Sequence, residues 1–292
     1  MSNSVSSGFH LADGNGYMLD KGYAAACRLN LQFYLWKDSL NFNIHPSIPL
    51  PPPTPSSTSS PLRIADLACG TGLWLTDLAR SLPPQTTLDG FDLFVSKFPP
   101  SQWLPNNVTL SALDILGPVP EHLVGKYDVI HLRLLILVVE NSDPTSIIQN
   151  VHRMLKPGGY IQWDDLNYPD THIVRANPAL ATPAFDRLRE FVYSGGRHDW
   201  VLQLPSILEQ NGFEDAQLEH FQDHRELTLA NGEQHLMTMD EFTGSLYKKE
   251  MVEEARGVEQ MVLDCCREAA QGVALSMPRV VAVARKKSEA RL

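Results

Sequence analysis

Three acidic residues and a glycine turn carry the most chemically informative pattern in this sequence. Asp66 lies just before the turn CGTG, whose glycines are Gly70 and Gly72. Asp92 and Asp114 close the next two apolar runs. Glycines let a backbone come close to a ligand, and carboxylates accept hydrogen bonds from hydroxyl and amino groups. This combination suits a nucleoside that carries hydroxyl groups and a positive charge.

The spacing around the turn excludes two phosphate-binding loops. The dinucleotide pattern G-x-G-x-x-G needs a third small residue, but Leu75 occupies that position. A P-loop needs a lysine directly after its last glycine, and no lysine occurs between Arg63 and Lys97. We therefore expect a nucleoside without phosphates, with Asp92 at its ribose hydroxyls and Asp114 at an adenine amine. Asp66 would face a ligand ammonium group or order the turn.

Alternating strands and helices are expected to position these residues. Apolar runs predict strands at 63–67, 87–92, 108–112, 127–132, 159–163, 214–221 and 279–285. Helical patterns between them predict parallel βαβ units, hence an α/β, Rossmann-like, doubly wound sheet of seven strands. Ligands of such sheets bind at the carboxyl ends of the strands. A helix-rich stretch at about 233–272 is predicted to be an insertion before the last strand.

The N-terminal part is predicted to form a separate helical element. Apolar residues recur at helical spacing over residues 22–40, namely Leu29, Phe33, Trp36 and Leu40. Such a helix either covers a sheet edge or forms a lid over the site. A run rich in proline and serine follows and is typical of a connector. We therefore divide the chain into an N-terminal helical lid (1–45), a linker (46–61) and a main domain (62–292).

Composition limits the partners of the protein. The net charge of -10 over 292 residues argues against nucleic acid, and no apolar run is long enough to span a membrane. The cysteines show neither metal spacing nor a disulfide framework; they are Cys27, Cys69, Cys265 and Cys266. The N-terminus lacks a secretion signal, so the cytosol is the expected compartment. We expect a soluble protein with a small-molecule partner and no metal. The oligomeric state stays open, with a homodimer as one alternative.

Several motifs together resemble a known family. IADLACGTGLW, LDGFDL, LDI, YDVIHLRLL and RMLKPGGYIQW occur in the order seen in class I S-adenosylmethionine-dependent methyltransferases. GYMLD, RLNLQ and FPPSQWLPNNVTLSALDI are similar to segments of fungal secondary-metabolism methyltransferases. That group includes tailoring enzymes and the methyltransferase-like regulators of the velvet complex. The resemblance covers about residues 16 to 165.

The resemblance implies a role for individual residues in binding S-adenosylmethionine. It places Asp66, Ala68, Gly70 and Gly72 around the methionine part of the cofactor. It further implies contacts to the ribose and the base from Asp92, Leu93, Asp114 and Ile115. The predicted lid would contribute Tyr17, Arg28 and Gln32, with Arg28 at the cofactor carboxylate. Ala68 departs from the family pattern, which most often has glycine there.

The resemblance also implies a reaction. We expect methyl transfer to a small, largely apolar secondary metabolite, with oxygen as the acceptor atom. Histidine is the usual base for a hydroxyl at neutral pH, and the candidates are His131, beside the expected cofactor, and His198. One alternative is a pericyclase or cyclase that binds the cofactor without transferring its methyl group. Another is a methyltransferase-like regulatory protein.

Overall fold

Apolar segments of the chain form a central sheet, described here from a computed structural model that covers residues 18–20, 22–50 and 61–288. The strands are β1 (Arg63–Leu67), β2 (Thr87–Asp92), β3 (Val108–Ala112), β4 (Tyr127–Arg133), β5 (Leu155–Leu166), β6 (His172–Arg175), β7 (Phe213–Phe221), β8 (Val273–Ser276) and β9 (Arg279–Lys286). Seven of them form one sheet in the order β3-β2-β1-β4-β5-β9-β7. This order reverses at β1, as in doubly wound, Rossmann-like sheets, so the predicted fold class is confirmed.

The helices lie between and beside these strands. They are α1 (Tyr23–Leu40), α2 (Leu73–Leu78), α3 (Thr145–Met154), α4 (Pro183–Tyr193), α5 (Leu204–Gln210), α6 (Thr228–Lys248) and α7 (Val252–Ala269). Most residues of β1, β4 and β9 are buried on both faces of the sheet. Such two-sided burial is typical of strands covered by helices. Within the described ranges, every helix is too short or too polar to cross a membrane.

All seven strands that the sequence predicts are present, but one of them runs in the opposite direction. The expectation of parallel βαβ units does not hold for β9, which pairs antiparallel with both β5 and β7. The physical reason lies in the connection. Arg279, the first residue of β9, pairs with Leu166 and Phe221, the last residues of β5 and β7. The chain therefore enters β9 from the carboxyl edge and must run back through the sheet.

The predicted insertion contains more than helices. The predicted range of about 233–272 falls on most of α6 and all of α7. The insertion continues beyond it into β8, which pairs antiparallel with β6 in a second, two-stranded sheet. Neither of these two strands was expected from the sequence, because four residues are too few to display an alternating pattern. Since β8 leads directly into β9, the insertion is attached to the central sheet at both of its ends.

The N-terminal helix α1 is attached to several elements of the main body. The indole of Trp36 lies near two guanidinium groups, with Arg133 at 4.9 Å and Arg279 at 5.1 Å from the ring centre. Lys37 binds Asp77 of α2 at 2.7 Å. These contacts make α1 part of the packed structure. The division into lid, linker and main domain stays a prediction, and residues 51–60 of the linker lie outside the described residues.

Replacing Trp36 tests whether α1 is integral to the fold. Trp36 is only 2% exposed, so Trp36→Ala is expected to lower the free energy of unfolding by about 3–5 kcal/mol through lost packing. Tyr34→Ala on the same helix, at a side chain that is 56% exposed, should change it by less than about 1 kcal/mol. Urea denaturation measures the free energy of unfolding of both variants. Equal, small effects would mean that α1 unfolds separately from the core.

Candidate functional site

A cavity of about 400 Å³ opens at the carboxyl ends of the central strands. One half is lined by the glycine turn and by acidic residues of the strand ends, namely Asp66, Gly70, Asp92 and Asp114. The other half is mostly apolar and is lined by residues of α4, α6 and the second sheet, among them Leu188, Val192, Met239, Leu275 and Met277. Residues of α1 close the cavity from a third side, including Arg28, Leu29, Gln32 and Phe33.

The carboxylate of Asp92 holds the glycine turn in place. It accepts hydrogen bonds from the backbone N–H of Gly70 and of Phe94, each at 2.8 Å. Gly70 and Gly72 both have positive φ angles, of 59° and 73°, which favour glycine. Each carboxylate oxygen has a second lone pair, so Asp92 can accept further hydrogen bonds from a ligand. The turn and the acidic residue are thus positioned together, as the sequence predicts.

Ala68, at the position where the family pattern most often has glycine, has a left-handed backbone conformation. Its φ angle is 58°, in the left-handed region that costs an L-residue with a side chain about 1–2 kcal/mol. Alanine, the smallest residue with a side chain, occupies this left-handed position where the family pattern most often has glycine. Ala68 also lines the cavity, at the place where the resemblance puts the methionine part of the cofactor.

A buried chain of charged groups forms the floor of the cavity. The ring of His131 binds Asp66 through Nδ1 at 2.7 Å and Asp164 through Nε2 at 3.1 Å. The guanidinium of Arg133 donates to the same oxygen of Asp164 at 2.7 Å. The indole of Trp74 stacks on the imidazole, with ring centres 4.0 Å apart and an interplanar angle of 3°. These residues join the ends of β1, β4 and β5.

This environment changes the charge of the buried groups. Burial alone would lower the pKa of His131, but the carboxylates of Asp164 and Asp66 outweigh it and raise the pKa above the ordinary value. Burial alone would raise the pKa of Asp164, but Arg133 and His131 lower it. Both carboxylates thus favour the imidazolium form of His131, in which each ring nitrogen carries a proton that it can donate to one of them. His131 lines the cavity as predicted, but this geometry opposes its proposed role as a base.

The second predicted base is not at the cavity. His198 is 2% exposed and packs against the ring of Tyr168, with the ring centres 4.7 Å apart. Tyr168 lines the cavity, whereas His198 does not. The sequence suggested a glycine-flanked surface loop, but the turns around His198 fold inward behind Tyr168. The catalytic role of His198 stays a prediction, and its position away from the cavity wall does not support it.

The remaining predicted cofactor residues differ in their surroundings. Leu93, Asp114 and Ile115 line the cavity next to the glycine turn, and Asp114 accepts a hydrogen bond from the N–H of Leu116. Arg28 also lines the cavity, but its guanidinium already binds Glu241 of α6 at 2.6 Å. The sequence could not reveal this partner, because the two residues are 213 positions apart. Tyr17 lies outside the described residues.

The sequence reasoning missed a row of residues on α6. His235, Thr238 and Met239 line the apolar half of the cavity. Their spacing of three and four positions is that of one helix face, and this signal could have identified them. Burial lowers the pKa of His235 to about 4, and nearby Arg279 acts in the same direction against Asp223. The insertion thus supplies a neutral histidine to the cavity.

Comparisons with known proteins identify a family and several relatives of this chain. Residues 28–231 match a family model described as a methyltransferase domain. The methyltransferase grgD of a Penicillium species is 37% identical over 137 residues, which are 42% of this chain and 47% of that protein. The N-methyltransferase verN of Clonostachys rogersoniana is 34% identical over 34% of each chain. The secondary metabolism regulator laeA of Coprinopsis cinerea is 34% identical over 39% of this chain and 26% of its own length. The matched segments span less than half of each relative.

The charge of His131 leads to a pH-dependent prediction. Its pKa in the folded protein lies above the unfolded value of 6.5. The imidazolium therefore stabilises the fold fully below about pH 6.5, and this contribution is lost as the pH rises through the folded pKa. We expect the ring signals of His131, followed by NMR, to remain those of an imidazolium at pH 7. His152, whose pKa is lowered mainly by burial, should already be neutral there and is the internal reference. A midpoint for His131 at or below pH 6.5 would contradict the assignment.

Proposed function

The chain belongs to the family described as a methyltransferase domain, and from this membership we propose that it is an S-adenosylmethionine-dependent methyltransferase acting on a small, largely apolar molecule. The observation that carries the proposal is one cavity with two unlike halves. The glycine turn and strand-end carboxylates line one half, and apolar side chains line the other. A polar cofactor and an apolar acceptor would meet where the halves join.

The residues of the polar half fit the cofactor. Asp92 and Asp114 would hold the ribose hydroxyls and the adenine amine, since carboxylates accept hydrogen bonds from both. Gly70 and Gly72 would lie along the amino-acid part. When bound, S-adenosylmethionine supplies an electrophilic methyl group on a positively charged sulfur. The protein contributes alignment and exclusion of water, for which α1 and α6 close the cavity on two sides.

The fit is less complete at the cofactor carboxylate. Arg28 is the predicted partner of this carboxylate, but in the structure its guanidinium already donates two hydrogen bonds to Glu241. One hydrogen bond to Glu241 comes from Nε and the other from Nη2, so the N–H groups of Nη1 can donate to a ligand. We infer that Arg28 would bind the cofactor carboxylate through Nη1 and stay attached to α6 through Glu241.

The apolar half supports the proposed class of acceptor. Leu188, Leu275 and Met277 offer contact surface without charge, which suits an uncharged, largely apolar molecule. We propose oxygen as the acceptor atom. A hydroxyl needs a proton acceptor for methylation at neutral pH, and the neutral ring of His235 lines this half. Nitrogen is the competing acceptor, since the relative verN is named an N-methyltransferase.

A regulatory role is the second candidate function. It is supported by the similarity to laeA, which is named a secondary metabolism regulator. A regulator of this kind would use the same fold to bind a protein partner. The two candidates differ in whether a small molecule is turned over.

Cofactor binding tests the polar half. Asp92→Ala removes a carboxylate that orders the turn and would receive the ribose, so the affinity for S-adenosylhomocysteine should fall about 100-fold or more. Asp128→Ala is the matched control. Asp128 also accepts a hydrogen bond from a backbone N–H, and another from a charged side chain, but it lies at the amino-terminal end of its strand. Titration calorimetry measures both variants, with circular dichroism to verify folding. Unchanged affinity in Asp92→Ala would refute the placement.

Turnover tests the activity itself. The protein is incubated with methyl-labelled cofactor and a panel of phenols and amines, and mass spectrometry follows the label and S-adenosylhomocysteine. We expect label on a phenolic oxygen with an equal amount of S-adenosylhomocysteine. Label on nitrogen would correct the acceptor atom. A rearranged product without S-adenosylhomocysteine would indicate a cyclase, and a stable protein partner with no turnover would favour the regulator.

A further inference from the structure

A histidine of the insertion presents its ring to the apolar half of the cavity. His235 lies on the inner face of α6 with Thr238 and Met239, and it is partly exposed. In the part of the chain that the structure describes, its ring nitrogens make no hydrogen bond, and neither is a buried atom without a partner. The ring is therefore open to a molecule in the cavity.

Three other titratable side chains that line the cavity, His131, Tyr168 and Glu140, are less suited to receive a proton. His131 donates from both ring nitrogens to Asp66 and Asp164. Burial raises the pKa of the Tyr168 phenol, so this group keeps its proton and can only donate or accept a hydrogen bond as a hydroxyl. Glu140 lies at the exposed rim rather than inside. This leaves His235 as the uncharged nitrogen acceptor of the apolar half.

The charges near His235 keep it neutral. Asp223 and Arg279 are the charged groups that face it, and they form an ion pair with each other. The effects of these two opposite charges on His235 largely cancel. Burial is therefore the largest influence, and it lowers the pKa of His235 to about 4. At neutral pH the imidazole then carries one N–H donor and one nitrogen acceptor.

We propose that His235 receives the hydrogen bond of the acceptor molecule's hydroxyl and takes its proton when the methyl group is transferred. This role rests on the proposed function. In the step, the hydroxyl oxygen forms a bond to the methyl carbon while the carbon–sulfur bond breaks and its electron pair stays on sulfur. The O–H proton passes to the open ring nitrogen of His235 and then to solvent.

A weakly basic imidazole is sufficient for this step. A hydroxyl that has begun to bond to a methyl group becomes far more acidic than it was in the free molecule, so proton transfer late in the reaction needs no strong base. A histidine whose pKa lay well above 7 would be mostly protonated at neutral pH and would then rarely offer an acceptor nitrogen. The position on α6 thus combines apolar surroundings with a ring that is uncharged at neutral pH before the proton is transferred.

A matched pair of probes tests the hydrogen bond without any turnover. Binding of 2-naphthol and of naphthalene is measured by equilibrium dialysis at pH 7 without cofactor, so that the result does not depend on methyl transfer. We expect the wild-type protein to bind 2-naphthol about three- to tenfold more tightly, because only this probe has a hydroxyl for His235. In His235→Phe this preference should disappear, while naphthalene binding remains.

Control variants keep the result interpretable. His172→Phe replaces an exposed histidine that is not part of the cavity wall and should retain the preference. His235→Gln keeps a hydrogen-bonding group and should retain part of it, and it serves if His235→Phe does not fold. A wild-type protein without preference, or a preference that survives in His235→Phe, would overturn the proposal.

Kinetics separate proton transfer from simple binding. With an acceptor found in the labelled-cofactor experiment, His235→Gln is expected to lower kcat by about 10²- to 10⁴-fold. Its KM for the acceptor and its affinity for S-adenosylhomocysteine should stay close to those of the wild type. An unchanged kcat would refute the proton-accepting role. If no acceptor is found, the proposed function fails, but the probe preference still decides whether His235 faces the ligand.

Discussion

Charges buried at the ends of the central strands must be neutralised by other groups of the protein, and this requirement organises the molecule. Asp66, His131 and Asp164 lie at the ends of three neighbouring strands, and Arg133 completes a chain of alternating charges. Removing any member would leave a buried charge without its partner, which is costly in a low-dielectric interior. The register of β1, β4 and β5 and the shape of the cavity floor therefore depend on one another.

The same requirement extends to the N-terminal helix and the insertion. Arg133 and Arg279 both approach the indole of Trp36, so α1 packs on the guanidinium groups of two different strands. Arg279 in turn binds Asp223 and Asn231, which lie after β7 and in α6. Aromatic and ionic contacts thus connect α1, the sheet and α6 through buried groups. The elements that cover the cavity are held by the same charges that form its floor.

Much of the fold and of the polar half of the site could be predicted from the sequence. Strand positions, the glycine turn and Asp92 follow from local patterns, because short apolar runs and turn residues act over a few positions. The direction of β9 and the pairing of Arg28 with Glu241 could not be derived, since both depend on where distant segments meet. The sequence places His131 near the end of β4, but its pairing with Asp66 and Asp164 could not be derived, because these neighbours come from other strands. His235 could have been found from helix periodicity, although its lowered pKa depends on tertiary burial.

The direction of β9 has a consequence for how this molecule can change. Because β9 enters the sheet from the carboxyl edge, the insertion formed by α6, α7 and β8 is attached to the central sheet at both of its ends. The glycine turn and its carboxylates come from an earlier, separate part of the chain. The two halves of the cavity are therefore encoded by different segments. The insertion can acquire a new shape and a new ligand preference while the strands of the sheet keep their register and the glycine turn keeps its position.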